Sequence, residues 1–139
     1  MPRIDLIAVL IAGVISMGFG MLWYGPLFGK RWSRLMGFST DKLEEMKKRG
    51  MFKISLIAFI TELITAYVLA YLIALTGSYA LPVLVSLIFW LWIGLLVPIL
   101  VGATLWEGKP IGLLIINMSY HLLTLSIMGL VIVYWATWS

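Results

Sequence analysis

Four side chains that could carry chemistry lie inside apolar stretches of this sequence. Glu62 is the one formally charged residue well inside such a stretch, and His121 is the only histidine in the chain. Asn117 lies four residues before His121, so the two share one face of a helix, with Tyr120 beside them. A carboxyl, an imidazole, an amide and a phenol in apolar surroundings can hold a proton or a polar ligand inside a membrane.

These residues lie at similar depths in their two apolar stretches. At the helical rise, Glu62 lies about 13 Å from Lys53, and Asn117 and His121 lie about 12 and 18 Å from Lys109. If both stretches begin at the same face of a bilayer, the residues all lie between that face and the midplane. We therefore predict that the carboxyl, amide, phenol and imidazole form one buried site for a proton or a small-molecule ligand.

Each residue also has a structural interpretation. Glu62 can be a protonated acid that donates one interhelical hydrogen bond, and Asn117 can join two helices for about 1 kcal/mol. His121 can be a neutral imidazole that bonds to a backbone carbonyl. Intramembrane ionisable groups favour function for the pair of Glu62 and His121, whereas His121 alone is somewhat more typical of packing.

The sequence lacks the patterns of the common catalytic sites. It has no cysteine, no nucleotide-binding loop and no nucleophile elbow. One histidine and one carboxylate deep inside the spans are too few for a catalytic metal site or for paired acid and base work. We expect no metal, no cofactor and no enzymatic activity. A membrane enzyme with His121 as its base is the least supported hypothesis.

Composition indicates a membrane protein. The chain is 63% hydrophobic and 12% charged, whereas soluble domains are about half apolar and a quarter charged. Four apolar runs each exceed the roughly 20 residues that cross a bilayer, and unpaired backbone groups are excluded from lipid, so the runs must be helices. We predict a single all-α polytopic domain over 1–139 in the form of a four-helix bundle. The predicted spans are 4–25, 54–76, 81–106 and 111–136.

The predicted first loop, 26–53, holds most of the charge. It carries eight basic and three acidic residues, whereas the other two connections are short and nearly neutral. The positive-inside bias places this loop in the cytoplasm and both termini outside, in a multi-pass plasma-membrane protein. Two short helices are predicted in the loop, the first of them basic and amphipathic. We expect it to contact anionic lipid headgroups, and we expect no nucleic-acid partner.

The stretch from Gly18 to Trp32 reads GFGMLWYGPLFGKRW, where an apolar run meets cations. We predict that it leaves the membrane there and that Trp23, Tyr24 and Trp32 form a collar over the polar site.

The third run contains small or helix-breaking residues at every fourth position. We predict that these residues form a helix-packing strip. With only four helices to enclose a pocket, a homo-oligomer is expected. The strip consists of Gly94, Pro98 and Gly102.

Two motifs resemble a known family. The first is Trp23-Tyr24-Gly25-Pro26-Leu27-Phe28-Gly29 with Trp32 following. The second is Glu107-Gly108-Lys109 with Ile116-Asn117 and Tyr120-His121-Leu122. Together they resemble the uncharacterised membrane family called domain of unknown function seventeen sixty-one, over nearly the whole chain. The resemblance implies a small four-helix integral membrane protein, and it implies no activity, cofactor or catalytic residue.

Two functions follow from these patterns. The leading hypothesis is a small transporter or permease in which Glu62 binds a proton or a cation and His121 is its partner. The alternative is a structural or accessory membrane protein that contacts lipid through its basic loop. Glu62 belongs to neither family motif, so its role depends on physical reasoning alone.

Overall fold

A computed structural model describes residues 3–48 and 50–138 of the chain. Arg49 and the side chain of Lys47, both counted in the basic loop, lie outside the described residues. The described part forms seven α-helices: α1 (Leu6–Leu22), α2 (Gly29–Met36), α3 (Thr40–Lys48), α4 (Met51–Thr76), α5 (Leu81–Leu91), α6 (Val97–Glu107) and α7 (Ile111–Trp138). One π-helical turn, Trp23–Leu27, follows α1, and a second, Trp92–Leu96, joins α5 to α6.

Four helical stretches are long and apolar enough to cross a membrane. They are span 1 (Leu6–Leu27), span 2 (Phe52–Thr76), span 3 (Leu81–Glu107) and span 4 (Ile111–Ala136). Spans 2 and 3 end at Gly77 and Gly108, both in the left-handed conformation that glycine adopts most readily. The predicted all-α class, with four membrane-length helices and short helices in the first loop, is confirmed. The protein is a multi-span membrane protein.

Span 4 lies at the centre of the fold and contacts each of the other three spans. Its most extensive contact is with span 1. The core of the fold includes Ala12, Ala66, Ile73 and Met128, which are completely buried. The small side chains of Ala12 and Ala66 let the helix backbones approach closely, which is how helices associate in lipid.

Span 3 lies at the edge of the fold and packs on span 4. There Gly129 of span 4 makes room for Ile88, whose Cδ1 atom would lie 2.8 Å from a Cβ at position 129. Within the described residues, span 3 makes almost no contact with span 2. The four helices therefore form an open arrangement, with a cleft between spans 2 and 3.

The first π-helical turn carries span 1 into α2. Pro26 has no N–H to donate, and the Phe28 N–H reaches back to the Trp23 carbonyl at 2.9 Å, one residue further than in an α-helix. The chain then folds closely onto itself, because a Cβ at Gly29 would lie 2.6 Å from the Tyr24 carbonyl oxygen. This turn directs Trp23 and Tyr24 toward span 4.

The basic helix α2 packs on the beginning of span 4. Leu35 reaches Gly112, where its Cδ1 atom would lie 3.2 Å from an added Cβ. The Lys109 ammonium donates a hydrogen bond to the Met36 carbonyl at 3.2 Å. The cations of α2, which are Lys30, Arg31 and Arg34, are all exposed. Its apolar face is thus partly covered by its own chain, while its charges face outward.

Candidate functional site

Glu62 receives a hydrogen bond from span 4. The Tyr120 hydroxyl donates to Glu62 Oε1 at 3.0 Å, and Tyr120 is only 9% exposed. Gly20 of span 1 makes room for this hydroxyl, since a Cβ at position 20 would lie 2.9 Å from the oxygen. Three helices thus meet at one phenol, which orients the carboxyl group of span 2.

Glu62 also lies on the wall of the cleft between spans 2 and 3. This cleft has a volume of about 510 Å³, which is in the range of small-molecule sites. Its walls are mostly apolar, with one acidic side chain, one imidazole and three threonines. The residues that line it are Thr61, Glu62, Ile64, Thr65, Val68, Leu69, Leu72, Leu91, Leu95, Leu96, His121, Thr124 and Leu125.

Glu62 and His121 line the same cleft, and both are partly exposed to it. The predicted site was a buried one. In the described chain no fully buried carboxylate or imidazole is present, because the side of the cleft away from span 4 is open. The two side chains that the sequence predicts to be buried lie instead on the open wall of the cleft.

Asn117 does not line this cleft. Its Oδ1 atom accepts a hydrogen bond of 2.7 Å from the Tyr24 hydroxyl of span 1. One residue earlier, the Ile116 carbonyl accepts a hydrogen bond of 3.3 Å from the Trp23 indole. The four predicted residues therefore lie in two places: Glu62 and His121 at the cleft, and Asn117 against span 1. Tyr120 contacts both places, because its hydroxyl bonds to Glu62 and the centre of its ring lies 4.9 Å from that of Tyr24.

The predicted collar residues lie over Asn117 and Tyr120. The rings of Tyr24 and Trp32 meet edge to face at 5.6 Å, and Trp23 packs on Phe28 at 4.5 Å. None of the three predicted collar residues lines the cleft. The aromatic group thus covers the junction of spans 1 and 4, beside the candidate site and not at its opening.

Comparison with known families identifies the chain. The family model described as Protein of unknown function (DUF1761) matches residues 7–133. The chain belongs to this family. Neither the search of curated proteins nor the search of solved structures found a match. The predicted family is confirmed, and it assigns no activity to the site of this DUF1761 protein.

The predicted helix-packing strip faces away from the rest of the fold. Gly94 and Pro98 are exposed, and a Cβ added at Gly94 or Gly102 would meet no described atom within 4 Å. Pro98 is the second residue of α6, which follows the π-helical turn Trp92–Leu96, as expected where a proline removes a helical hydrogen bond. Packing of this strip stays a prediction, because no described helix of the same chain covers it.

The sequence analysis assigned neither the threonines of the cleft nor Gly20 to the predicted site. Thr61 and Thr65 flank Glu62 on span 2, and Thr124 lies one turn after Tyr120 on span 4. The sequence signal for two of them was their spacing, because Thr65 lies three residues after Glu62 and Thr124 lies three residues after His121, which places each pair on one helical face. Among the described residues, no group of three or more histidine, aspartate or glutamate side chains could hold a metal ion.

Proposed function

We propose that this protein is a small membrane transporter in which the Glu62 carboxyl exchanges a proton for a ligand in the cleft between spans 2 and 3. One observation carries the proposal. An ionisable group at membrane depth, held by the Tyr120 hydroxyl at 3.0 Å, faces a cleft of about 510 Å³. Ionisable residues inside membrane spans are costly, and they commonly belong to substrate and proton pathways.

The coupling follows from the single carboxylate. Among the described residues, no lysine or arginine neutralises Glu62, whose hydrogen-bond partner is Tyr120. The other titratable group facing the cleft is His121, while span 3 contributes only leucines to this wall. A proton and a cationic group therefore compete for one site. Protonation of Glu62 at low pH releases the ligand, and each ligand that binds displaces a proton.

Proton movement in proteoliposomes tests this mechanism. The vesicles contain a trapped pH-sensitive dye and receive a pH gradient, followed by naphthylmethylamine, naphthylacetate or naphthylmethanol. These three probes share one apolar body and differ in charge. We expect at least one of them to change the internal pH faster than in protein-free vesicles. The effect should disappear in Glu62→Gln and persist in Glu107→Gln, a change to an exposed carboxylate at the end of span 3.

Two results would reject the transport proposal. Wild-type vesicles could respond to all three probes as protein-free vesicles do, or Glu62→Gln could retain the wild-type response. A Glu62→Asp variant distinguishes lost chemistry from lost folding, because it keeps the acid and shortens its reach.

The orientation of the protein in the membrane is also a proposal. The first loop carries eight basic and three acidic residues, and positive loops stay in the cytoplasm. We place the loop there in the plasma membrane, with both termini outside. Labelling of single cysteines introduced at Ser39 and Ala80, both exposed, in intact cells tests this orientation. Labelling of Ser39→Cys without Ala80→Cys would reverse it.

A second candidate function is that of a lipid-binding accessory protein. It is favoured by the outward-facing cations of α2, since each cation near an anionic surface contributes about 1 kcal/mol. A variant with Lys30, Arg31 and Arg34 all changed to glutamine should lose the stabilisation that anionic lipid gives to the wild type. Equal stabilisation of both proteins by phosphatidylglycerol would contradict this function.

A homo-oligomer would cover the exposed strip of span 3. Gly94 and Gly102 leave open space in which a second helix could approach closely. We expect the Gly94→Leu and Gly102→Leu changes together to shift the protein toward the monomer in cross-linking experiments. Identical cross-linking of the variant and the wild type would exclude this contact.

A further inference from the structure

We propose that the cleft between spans 2 and 3 binds the protonated nitrogen of an amphipathic amine that carries N–H donors. The ligand reaches the cleft sideways from the bilayer. This inference depends on Glu62 being the binding carboxylate of the proposed function. It does not depend on transport across the membrane.

The threonine donors next to Glu62 are already used. The Thr61 hydroxyl donates to the Ala58 carbonyl at 2.6 Å, and the Thr65 hydroxyl donates to the Thr61 carbonyl at 3.1 Å. A threonine hydroxyl has one hydrogen to donate and two lone pairs to accept with. Each therefore presents a ligand with an acceptor and no free hydrogen.

The hydrogen bond to the carboxyl group also uses a donor and leaves an acceptor for a ligand. Tyr120 gives its only hydrogen to Glu62 Oε1, so the second carboxylate oxygen is left to accept from a ligand. His121 in its neutral form adds one more acceptor nitrogen. The polar side of the cleft consequently offers several acceptors around one negative charge. The donors that it can add are the hydrogen on the other imidazole nitrogen and the hydroxyl of Thr124, which is buried and has no hydrogen-bond partner among the described residues.

This arrangement matches only some ligands. An ammonium or guanidinium group donates several charge-assisted hydrogen bonds and so satisfies several acceptors at once. An anion meets like charge at Glu62. A quaternary ammonium group supplies charge but no N–H, and an alcohol supplies one donor without charge. The acceptors thus favour a primary or secondary amine over these three alternatives.

The rest of the cleft determines the body of the ligand. Val68, Leu69 and Leu72 of span 2 face Leu91 and Leu95 of span 3. Apolar side chains of this kind bind a hydrocarbon body such as a ring system. Because spans 2 and 3 make almost no contact among the described residues, the gap between them opens toward the lipid tails. An amphipathic amine already concentrated in the bilayer can enter there without crossing water.

Equilibrium dialysis with the full-length protein in detergent micelles tests the ligand class. The probes are naphthylmethylamine, its N-trimethylated analogue, naphthylacetate and naphthylmethanol. We expect the amine to bind about tenfold or more tightly than each of the others, since hydrogen bonds to charged groups account for at least that ratio. Glu62→Gln should weaken amine binding by a similar factor, and Glu107→Gln should leave it unchanged.

The threonines provide a second, milder variant. Thr61→Val and Thr65→Val preserve shape and remove one acceptor each, so each should weaken binding of the amine a fewfold and leave that of the trimethylated probe unchanged. Melting temperatures in micelles verify that each variant is folded. If Glu62→Gln is unstable, the threonine pair alone decides, because unchanged amine affinity in both would overturn the role of the acceptors.

The other outcomes are also decisive. Equal affinity for the amine and its trimethylated analogue would overturn the requirement for N–H donors. Tighter binding of naphthylacetate or naphthylmethanol, or binding of none of the four, would overturn the inference as a whole. Amine binding without an internal pH change would contradict transport and leave the ligand assignment standing. A pH change driven only by the acid or the alcohol would overturn the ligand assignment and the competition of a cation with the proton at Glu62, and would leave only proton-linked transport standing.

Discussion

Gly20 leaves a slot for the Tyr120 hydroxyl. This slot allows us to predict the stabilities of two single variants and of the double variant that combines them. In Gly20→Ala the new methyl would lie 2.9 Å from the hydroxyl oxygen, and 3.6 Å from the nearest two ring carbons. The ring distances are ordinary van der Waals contacts, so the new methyl group clashes only with the hydroxyl oxygen. In Tyr120→Phe the hydroxyl is absent, and the methyl fits beside the ring.

The magnitudes follow from these contacts. Tyr120→Phe removes the bond of 3.0 Å to Glu62, which should cost about 0.5–1.5 kcal/mol. Gly20→Ala should cost about 1–3 kcal/mol for overpacking, offset by about 1 kcal/mol of helix propensity. In the double variant the overpacking disappears and the propensity gain is retained. We therefore expect the double variant to be about 1–3 kcal/mol more stable than the sum of the two single effects.

Unfolding free energies measured in lipid bicelles provide the assay, with all four proteins in one lipid composition. Gly18→Ala, on the same helix as Gly20, is the matched control, since a Cβ at position 18 meets no neighbouring atom within 4 Å. Effects of Gly20→Ala and Tyr120→Phe that add to within about 0.5 kcal/mol would refute the reasoning, because independent sites add to that accuracy. Such a result would mean that the phenol does not occupy the slot between spans 1 and 2.

Three further changes have expected outcomes. Gly29→Ala should lower the unfolding free energy by about 1–3 kcal/mol, since its Cβ would lie 2.6 Å from the Tyr24 carbonyl oxygen. Gly25→Ala is its control: a Cβ at position 25 meets nothing within 4 Å, so this variant should melt at or above the wild-type temperature. Ser16→Ala should be neutral or stabilising by thermal melting, because the buried Ser16 hydroxyl has no hydrogen-bond partner among the described residues; a loss above about 1 kcal/mol would reveal a partner. Trp92→Phe should lower the unfolding free energy by about 1 kcal/mol or more, as it removes an indole hydrogen bond of 2.9 Å to a span 4 carbonyl, and an unchanged stability would contradict that contact.

The class of the fold could be predicted because lipid surrounds most of the chain. Apolar runs of membrane length have to be helical wherever lipid surrounds them, and glycines such as Gly77 and Gly108 mark where two of them end. The break in the α-helix at the end of span 1 could also be predicted, since Pro26 within an aromatic stretch disfavours a continuous α-helix. These inferences need only local chemistry and the thickness of a bilayer.

The partners of Asn117 and His121 could not be predicted in the same way. Their spacing of four residues places them on one helical face, but that face extends past two different neighbours. Asn117 meets Tyr24 of span 1, whereas one turn later His121 lies at the cleft beside span 2. Which neighbour is met at each level depends on how the helices cross, and sequence spacing along one helix carries no information about crossing angles.

The cleft itself arises from a contact that is missing among the described residues. Spans 2 and 3 are both strongly apolar, and such helices gain no hydrophobic energy by meeting in lipid. Close packing then depends on small residues, and these are placed elsewhere: Gly13 faces Leu63 between spans 1 and 2, and Gly129 faces Ile88 between spans 3 and 4. Spans 2 and 3 are each held by another helix and not by one another. The carboxyl group of Glu62 is consequently left on an open wall, where it can meet a ligand, although its position in the sequence is typical of a buried residue.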